Sequence, residues 1–258
     1  MNDIWSYSLL SVLLVSLLSF IGLLFFRIKE KNLKKILVYL ISIAAGALFG
    51  DVFIHLIPEI SRTSGFTIGV SVSFLIGVLI FFILEKAVHA QQYHSHEGHE
   101  HHAPASREKI KPLAYMSLIV SALHNFLDGA VIAAAYFVSI PAGIGTTFAV
   151  ILHEIPHEVG SFSILLHGGF SKGRALFVNF ISALAAIVGA FVALWLGGAV
   201  QGMQAILVPL AAGGLLYIAG SDLIPELHKE SHGIKSALLQ IVMLAIGMGL
   251  MFLLLVVG

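Results

Sequence analysis

Long apolar runs separated by short polar stretches dominate this chain of 258 residues. Each run holds about 20 mostly apolar residues, the length that an α-helix needs to cross a hydrocarbon core of roughly 30 Å. We therefore predict an all-α integral membrane protein with eight transmembrane helices, called spans one to eight. In chain order the spans cover residues 5–26, 36–59, 66–88, 112–137, 142–167, 173–197, 203–227 and 235–256.

Composition agrees with this pattern. Hydrophobic residues make up 58% of the chain and charged residues 11%, whereas soluble domains carry about 25% charged residues. The formal net charge is zero, so the bilayer is an expected partner and nucleic acid is not. The spans fill the sequence, and we predict a single transmembrane domain over residues 1–258. Because the chain has no cysteine, a metal site must use His, Asp, Glu or Asn.

The basic residues predict an orientation. Thirteen of the 14 Lys and Arg residues fall in one set of alternate loops, and the other set holds only Arg62. The positive-inside rule then places both termini outside and the 89–111 loop inside. The short loops favour the inner membrane of a prokaryotic cell.

The 89–111 loop is polar, low in complexity and rich in histidine. Six histidines fall within the 14 residues 89–102. We expect this cytosolic loop to be disordered and to bind metal loosely. The alternative is a solvated linker in which the histidines have no such role.

A short internal repeat relates two spans. Span two ends in Leu-Ile-Pro-Glu at 56–59, and span seven ends in the same four residues at 223–226. Five crossings separate these spans, so they run in opposite directions. This is the pattern of an inverted repeat in a 3+2+3 arrangement, with spans one to three matched to six to eight and spans four and five between them.

Two motifs place ionisable residues in the middle of apolar spans. Span four carries His-Asn-Phe-Leu-Asp-Gly at 124–129, and span five carries His-Glu-Ile-Pro-His-Glu at 153–158. A charged side chain at mid-membrane costs at least about 2.5–3.5 kcal/mol, so each is a candidate functional residue. The turn near 138–141 is short, which makes the two helices antiparallel neighbours. Counting outward from it, Asp128 lies about 3 Å of axial rise from His153.

The spacing within each motif puts the polar residues on shared faces. His124 and Asp128 are i,i+4 in span four, as are His153 and His157 in span five. The two glutamates of the second motif lie on the adjacent stripe, so two stripes could serve two metals. Imidazole with carboxylate suits Zn²⁺, Fe²⁺ or Mn²⁺. The alternative is a buried polar network that only holds helices together.

Other polar residues within spans have two interpretations each. Asp51 and His55 are i,i+4 in span two and could line an access route or form a pair that packs helices. Asn179 in span six could reach the metal cavity or make an interhelical hydrogen bond.

The two motifs resemble the signature motifs of the ZIP family of zinc/iron-regulated transporters, in the histidine-rich branch with an HExPHE sequence. The resemblance implies the eight-helix layout, the outside termini, the cytosolic histidine-rich loop and the 3+2+3 inverted repeat. It also implies a binuclear metal centre between helices four and five, whose metals are transported substrates and not cofactors. A homodimer is suggested only by the resemblance.

Ligands can be carried over by motif position. The first metal would be held by His124, Asp128, His153 and His157. The second would be held by Asn125 and Glu154, with His157 at the bridging position and Asn179 contributed by helix six. This chain has His157 and Asp128 where other branches have glutamate.

An intramembrane zinc metalloprotease of the site-2 type is the rival hypothesis, because residues 153–157 match the H-E-x-x-H motif. Pro156 within the motif counts against it, as does an aspartate motif that precedes the histidine motif. We therefore interpret the chain as a transporter, not an enzyme, that moves divalent metal ions toward the cytosol. Zinc is the favoured ion, with iron or manganese as alternatives.

The orientation can be tested with a single thiol. In a His99→Cys variant, position 99 carries the only cysteine of the chain. A membrane-impermeant maleimide should label it only after the cells are permeabilised, because the loop is predicted to be cytosolic. Labelling in intact cells would contradict the orientation.

Overall fold

The computed structural model describes residues 2–22, 30–96, 112–200, 202–229 and 233–257, and these ranges contain helices and no strand. The α-helices within them are numbered in chain order. They are α1 (Asn2–Leu17), α2 (Glu30–Gly50), α3 (Ile57–Thr63), α4 (Ile68–His96), α5 (Pro112–Val138), α6 (Ile140–His167), α7 (Lys172–Ala183), α8 (Ala185–Ala199), α9 (Gln204–Tyr217), α10 (Ile224–Lys229) and α11 (Ile234–Val257).

The prediction of an all-α membrane protein is confirmed. Among the described residues, six helical stretches are long and apolar enough to cross a membrane. They are Asp3–Phe20, Ile36–Thr63, Ser117–Val138, Lys172–Ala199, Gln204–Lys229 and Ile234–Val256. A shorter apolar stretch, Ile68–Ile83, lies in α4. Helix α6 is long enough to cross a membrane, with 28 residues. It is not among the six stretches because its histidines and glutamates lower its mean hydropathy.

The predicted spans are helical over their described residues, apart from positions 66, 67, 184 and 203. The main difference is at the end of span three, because α4 continues to His96, eight residues beyond the predicted end at 88. The expectation of a disordered loop is therefore wrong for residues 89–96, which continue the helix. The rest of the histidine-rich loop, 97–111, lies outside the described residues, as do residues 23–26 of span one.

Two long helices contain a π-helical turn at the same place relative to the repeated Leu-Ile-Pro-Glu sequence. Asp51–Leu56 joins α2 to α3, and Ile218–Leu223 joins α9 to α10. Each repeat proline lies just beyond its π turn and has no N–H for the carbonyl four residues earlier, which interrupts the α-helical pattern. The repeat therefore marks a local change of helix geometry, in addition to a similarity of sequence.

Glycines allow three pairs of helices to approach each other closely. In α2 and α11, a Cβ on Gly46 would meet the Leu244 carbonyl, and a Cβ on Gly247 would meet the Ile43 carbonyl. The same reciprocal arrangement joins α4 to α9 through Gly77 and Gly213, and α5 to α8 through Gly129 and Gly189. Small residues stabilise membrane helix pairs in this way because they let backbones come into van der Waals contact.

Helix α5 is central to the bundle. It packs extensively against α6 and α8 and also contacts α1, α4, α7 and α9. Its buried C-terminal part is rich in small residues, with Ala133, Ala134 and Ala135 at 0–1% exposure. The histidine motif of α5 therefore lies inside protein and not against lipid.

The glycine contacts can be tested by two variants in α11. Gly247→Ala should destabilise the protein by about 1–3 kcal/mol, because the added methyl group meets the backbone of α2. Gly249→Ala, two residues away, is the matched control, since a Cβ there meets nothing within 4 Å. Thermal unfolding of the purified variants in detergent measures the difference. Equal unfolding temperatures would contradict the close α2–α11 contact.

Candidate metal centre

A tight helical hairpin brings the two histidine motifs together. Only Ser139 separates the end of α5 from the start of α6. Its Oγ accepts a hydrogen bond of 3.1 Å from the backbone N–H of Ala142 and so caps α6. Pro141 lies in the first turn of α6, where its missing N–H costs nothing. The two helices therefore run antiparallel and side by side.

Four side chains from this hairpin converge on one buried point, and each offers one metal-ligating atom within 4.8 Å of the others. They are His124, Asp128, His153 and Glu154. The His153 Nε2 atom lies 3.3 Å from Asp128 Oδ2 and 3.4 Å from His124 Nε2. Glu154 Oε1 lies 3.4 Å from His124 Nε2 and 3.6 Å from His153 Nε2. His124 Nε2 lies 3.7 Å from Asp128 Oδ2.

These distances match the requirement of a tetrahedral ion. Ligands about 2.1 Å from a zinc ion at tetrahedral angles are about 3.4 Å apart. Five of the six donor–donor distances, those that involve a histidine nitrogen, run from 3.3 to 3.7 Å. Two imidazole nitrogens and two carboxylate oxygens thus have the spacing that would place a small divalent cation between them.

Three carboxylate oxygens of the cluster have no hydrogen-bond partner among the described residues. Both carboxylate oxygens of Asp128 and the Glu154 Oε1 atom are buried and accept no hydrogen bond from the described residues. No Lys or Arg among those residues forms an ion pair with either carboxylate. A buried carboxylate without compensation is costly, and a bound cation removes that cost.

His157 and Asn125 lie beside this cluster. The His157 ring stacks on His124 with centroids 4.4 Å apart, and its Nδ1 lies 3.6 Å from Glu154 Oε1. Its side chain is 27% exposed, against 1–2% for Glu154 and His153. Asn125 donates to the Ser121 carbonyl at 2.9 Å, and its buried Oδ1 has no partner among the described residues. Both residues are therefore within the same polar region without joining the four.

Asn179 is not brought into the cluster of four. It comes from α7, and its amide nitrogen donates to Glu158 Oε2 and, at 3.5 Å, to the Ser19 carbonyl. Sequence reasoning did not include Glu158 among the candidate ligands, although it is 1% exposed. Its position one turn beyond Glu154 was the only available signal.

Asp51 and His55 form a second polar group, separate from the metal cluster. The His55 Nδ1 atom lies 3.0 Å from Asp51 Oδ1. The other Asp51 oxygen accepts a hydrogen bond of 2.5 Å from the Thr146 hydroxyl of α6. Both Asp51 and His55 are buried. The sequence paired Asp51 with His55 but carried no signal for Thr146, a small polar residue in an apolar run.

A sequence model of the ZIP zinc transporter family matches residues 2–111 and 89–255 of this chain. Similar proteins include the zinc transporter ZIP13 homolog of Drosophila melanogaster, 31% identical over 96% of this chain and 88% of that protein. Zinc transporter ZIP13 of Mus musculus is 32% identical over 92% of this chain and 78% of its own length. The metal cation symporter ZIP8 of Rattus norvegicus is 28% identical over 88% of this chain and 63% of that protein.

The helical bundle and its buried donor cluster are those of a multi-pass membrane protein with metal-binding capacity. The chain belongs to the ZIP family of zinc transporters. The resemblance drawn from the two histidine motifs is thus confirmed. Members of this family are transporters and not enzymes, so the protease hypothesis has no support.

Metal binding by the cluster can be measured directly. We expect His153→Ala to weaken zinc binding to the purified protein by at least about tenfold, because one of four ligands is lost. His228→Ala is the control, since this exposed histidine lies at the far end of α10. Isothermal titration of zinc compares the two. Equal zinc affinity and stoichiometry in the His153→Ala and His228→Ala proteins would contradict the assignment of His153.

Proposed function

We propose that this protein carries divalent metal ions, zinc above all, across the membrane toward the cytosol through the α5–α6 cluster. One observation carries the proposal: four buried donor atoms on two adjacent helices, spaced for a tetrahedral cation. A site built only to hold a structural zinc would favour thiolates, and this chain has no cysteine. Imidazole and carboxylate ligands bind zinc less tightly, which suits an ion that must also leave.

The proposed ligands fall into two groups. His124, Asp128, His153 and Glu154 hold one ion. His157 and Asn125 lie at the edge of that site and extend it toward a second ion, with Glu154 shared. Asn179 acts through Glu158, whose carboxylate it orients by a hydrogen bond. Iron and manganese are alternative cargoes, because the same ligand types suit all three ions.

The names of the relatives support zinc as the cargo. The fly and mouse proteins are zinc transporters, and the rat protein is a metal cation symporter. By similarity we propose that zinc is the principal ion here. The rat protein's broader name is the reason to measure iron and manganese beside zinc.

We further propose eight crossings in a 3+2+3 arrangement within one transmembrane domain. The two π turns, each beside a Leu-Ile-Pro-Glu repeat, support an inverted relation between the two ends of the chain. The glycine contacts also support this relation. The inverted repeat matches α2 to α9 and α11 to α4, so the close α2–α11 pair corresponds to the close α9–α4 pair. Inverted repeats are common in transporters that open alternately to each side.

The orientation and location are proposals from charge and loop length. Thirteen of 14 basic residues lie in one set of loops, which supports outside termini, a cytosolic 89–111 loop and therefore uptake into the cytosol. The inner membrane of a prokaryotic cell is the proposed location. The homodimer stays a prediction of the family resemblance.

Transport can be tested in proteoliposomes that contain the purified protein and a zinc-sensitive dye. We expect saturable zinc uptake by the wild type, and slower uptake with loss of bound metal in Glu154→Gln, because the variant loses a ligand. A His228→Ala protein should match the wild type. A protease would instead cleave a membrane-spanning substrate, retain its zinc in Glu154→Gln and take up no metal. That set of results would overturn the proposed function.

A further inference from the structure

Phe81 is a buried aromatic residue in the middle of α4 that lies against the metal cluster without offering a ligand. The four donor atoms of the cluster all come from α5 and α6. Phe81 is 4% exposed, and its ring centroid lies 6.3 Å from that of His124, with the two ring planes at 83°. Aromatic rings attract each other in this edge-to-face arrangement. Helix α4 therefore reaches the metal centre through an apolar side chain.

The His124 ring packs against rings from two different parts of the bundle. It stacks on His157 with centroids 4.4 Å apart, and the His153 ring lies 5.6 Å away at 72°. Both of these histidines belong to α6, the neighbouring helix of the hairpin, whereas Phe81 comes from α4. Removal of the broad phenyl ring would free one side of the imidazole, which could then turn about its side-chain bonds. The Nε2 atom would leave its position 3.4 Å from both His153 Nε2 and Glu154 Oε1.

Helix α9 fixes the position of Phe81. A Cβ on Gly214 would lie 2.4 Å from Phe81 Cε2 and 2.7 Å from its Cδ2, so the phenyl ring lies directly on the α9 backbone. Phe81 shares a face of α4 with Gly77, four residues earlier, where a Cβ would meet the Leu210 carbonyl of α9. Because the phenyl ring packs on α9 and on His124 at once, the α4–α9 pair sets where the imidazole can lie.

An apolar residue beside a metal ligand affects which ion the centre prefers. Four ligands at tetrahedral spacing suit zinc, whereas manganese is typically bound by six oxygen ligands in an octahedron. Water is the usual source of additional ligands, and the apolar shell around a site controls the access of water to the metal. A fixed imidazole and restricted access of water both favour a four-coordinate ion over a six-coordinate one.

We propose that Phe81 is a positioning residue of the metal centre, which holds the His124 imidazole in its ligating orientation and thereby favours zinc over manganese. The inference rests on the proposed transport function for its cargo and goes beyond it in naming a selectivity residue outside the ligand set. Phe81 makes no bond to the ion and acts through His124. Gly214 is part of the same arrangement, because a side chain there would displace the phenyl ring.

Cobalt bound in place of zinc tests the proposal, since four-coordinate Co²⁺ absorbs visible light strongly and six-coordinate Co²⁺ weakly. In detergent-purified Phe81→Leu, we expect the absorption per bound Co²⁺ to fall and zinc affinity to weaken about tenfold, because the imidazole is freed and water can enter. Phe74→Leu is the matched control, with the same substitution at a partly buried position of α4 about 10 Å from Phe81. Its spectrum should equal that of the wild type. An unchanged spectrum in Phe81→Leu, or an equal change in both variants, would overturn the inference.

Gly214→Ala perturbs the same contact while the phenyl ring is kept. The added methyl group should push Phe81 from its position, so the cobalt absorption should change in this variant as well. In the double variant Phe81→Leu/Gly214→Ala, the change should be smaller than the sum of the two single changes, because leucine leaves room for the methyl group. Strictly additive changes would contradict a link between α9 and His124 through Phe81.

Selectivity is measured separately, in proteoliposomes. The ratio of manganese to zinc uptake should rise several-fold in Phe81→Leu and should keep its wild-type value in Phe74→Leu. An unchanged ratio in Phe81→Leu would overturn the assignment of Phe81 to ion selection. Absence of metal uptake by the wild type would count against the proposed function, while the cobalt spectra would still decide whether Phe81 positions His124.

Discussion

The dominant constraint on this structure is the cost of placing carboxylates and imidazoles inside an apolar bundle. Asp128 and Glu154 are 0–1% exposed, and neither has an Arg or Lys partner among the described residues. A metal ion that binds both carboxylates and two imidazoles supplies the missing positive charge and satisfies the orphaned oxygens together. In the proposed transporter, binding of the cargo at this cluster would therefore also stabilise the bundle, and the empty site would be the higher-energy state. Because metal binding and the stability of the bundle are coupled in this way, binding or release of the ion would favour a change of conformation.

The geometry of the cluster depends on the hairpin and on close packing behind it. One residue connects α5 to α6, which fixes their relative height. Gly129 and Gly189 let α8 approach α5 until the two backbones are in van der Waals contact. Tight contacts of this kind resist small distortions, so the donor atoms are held at their spacing before an ion binds. Helix α6 also carries Gly145 and Thr146, which contact the Asp51–His55 pair, so one helix contributes to both polar groups.

Much of the fold and of the metal cluster could be predicted from the sequence, because a membrane helix is visible as a long apolar run. Apolar runs gave the helices, the short 138–141 turn gave the antiparallel hairpin, and i,i+4 spacing with axial rise brought Asp128 next to His153. Spacing alone did not decide between the two stripes of α6, since that depends on how the helix is rotated about its axis. In the structure Glu154 points its Oε1 into the cluster while the His157 ring stacks on His124. Thr146 had no signal in the sequence, and the contact between Glu158 and Asn179 depends on how α6 and α7 pack together.

The most direct test of the central claim is the position of the transported ion in crystals of the zinc-loaded protein. Anomalous diffraction at the zinc absorption edge locates the metal independently of any ligand assignment. We predict a peak between α5 and α6, about 2.0–2.2 Å from the donor atoms of His124, Asp128, His153 and Glu154. A fully loaded protein with zinc bound elsewhere and no peak within this cluster would contradict the account.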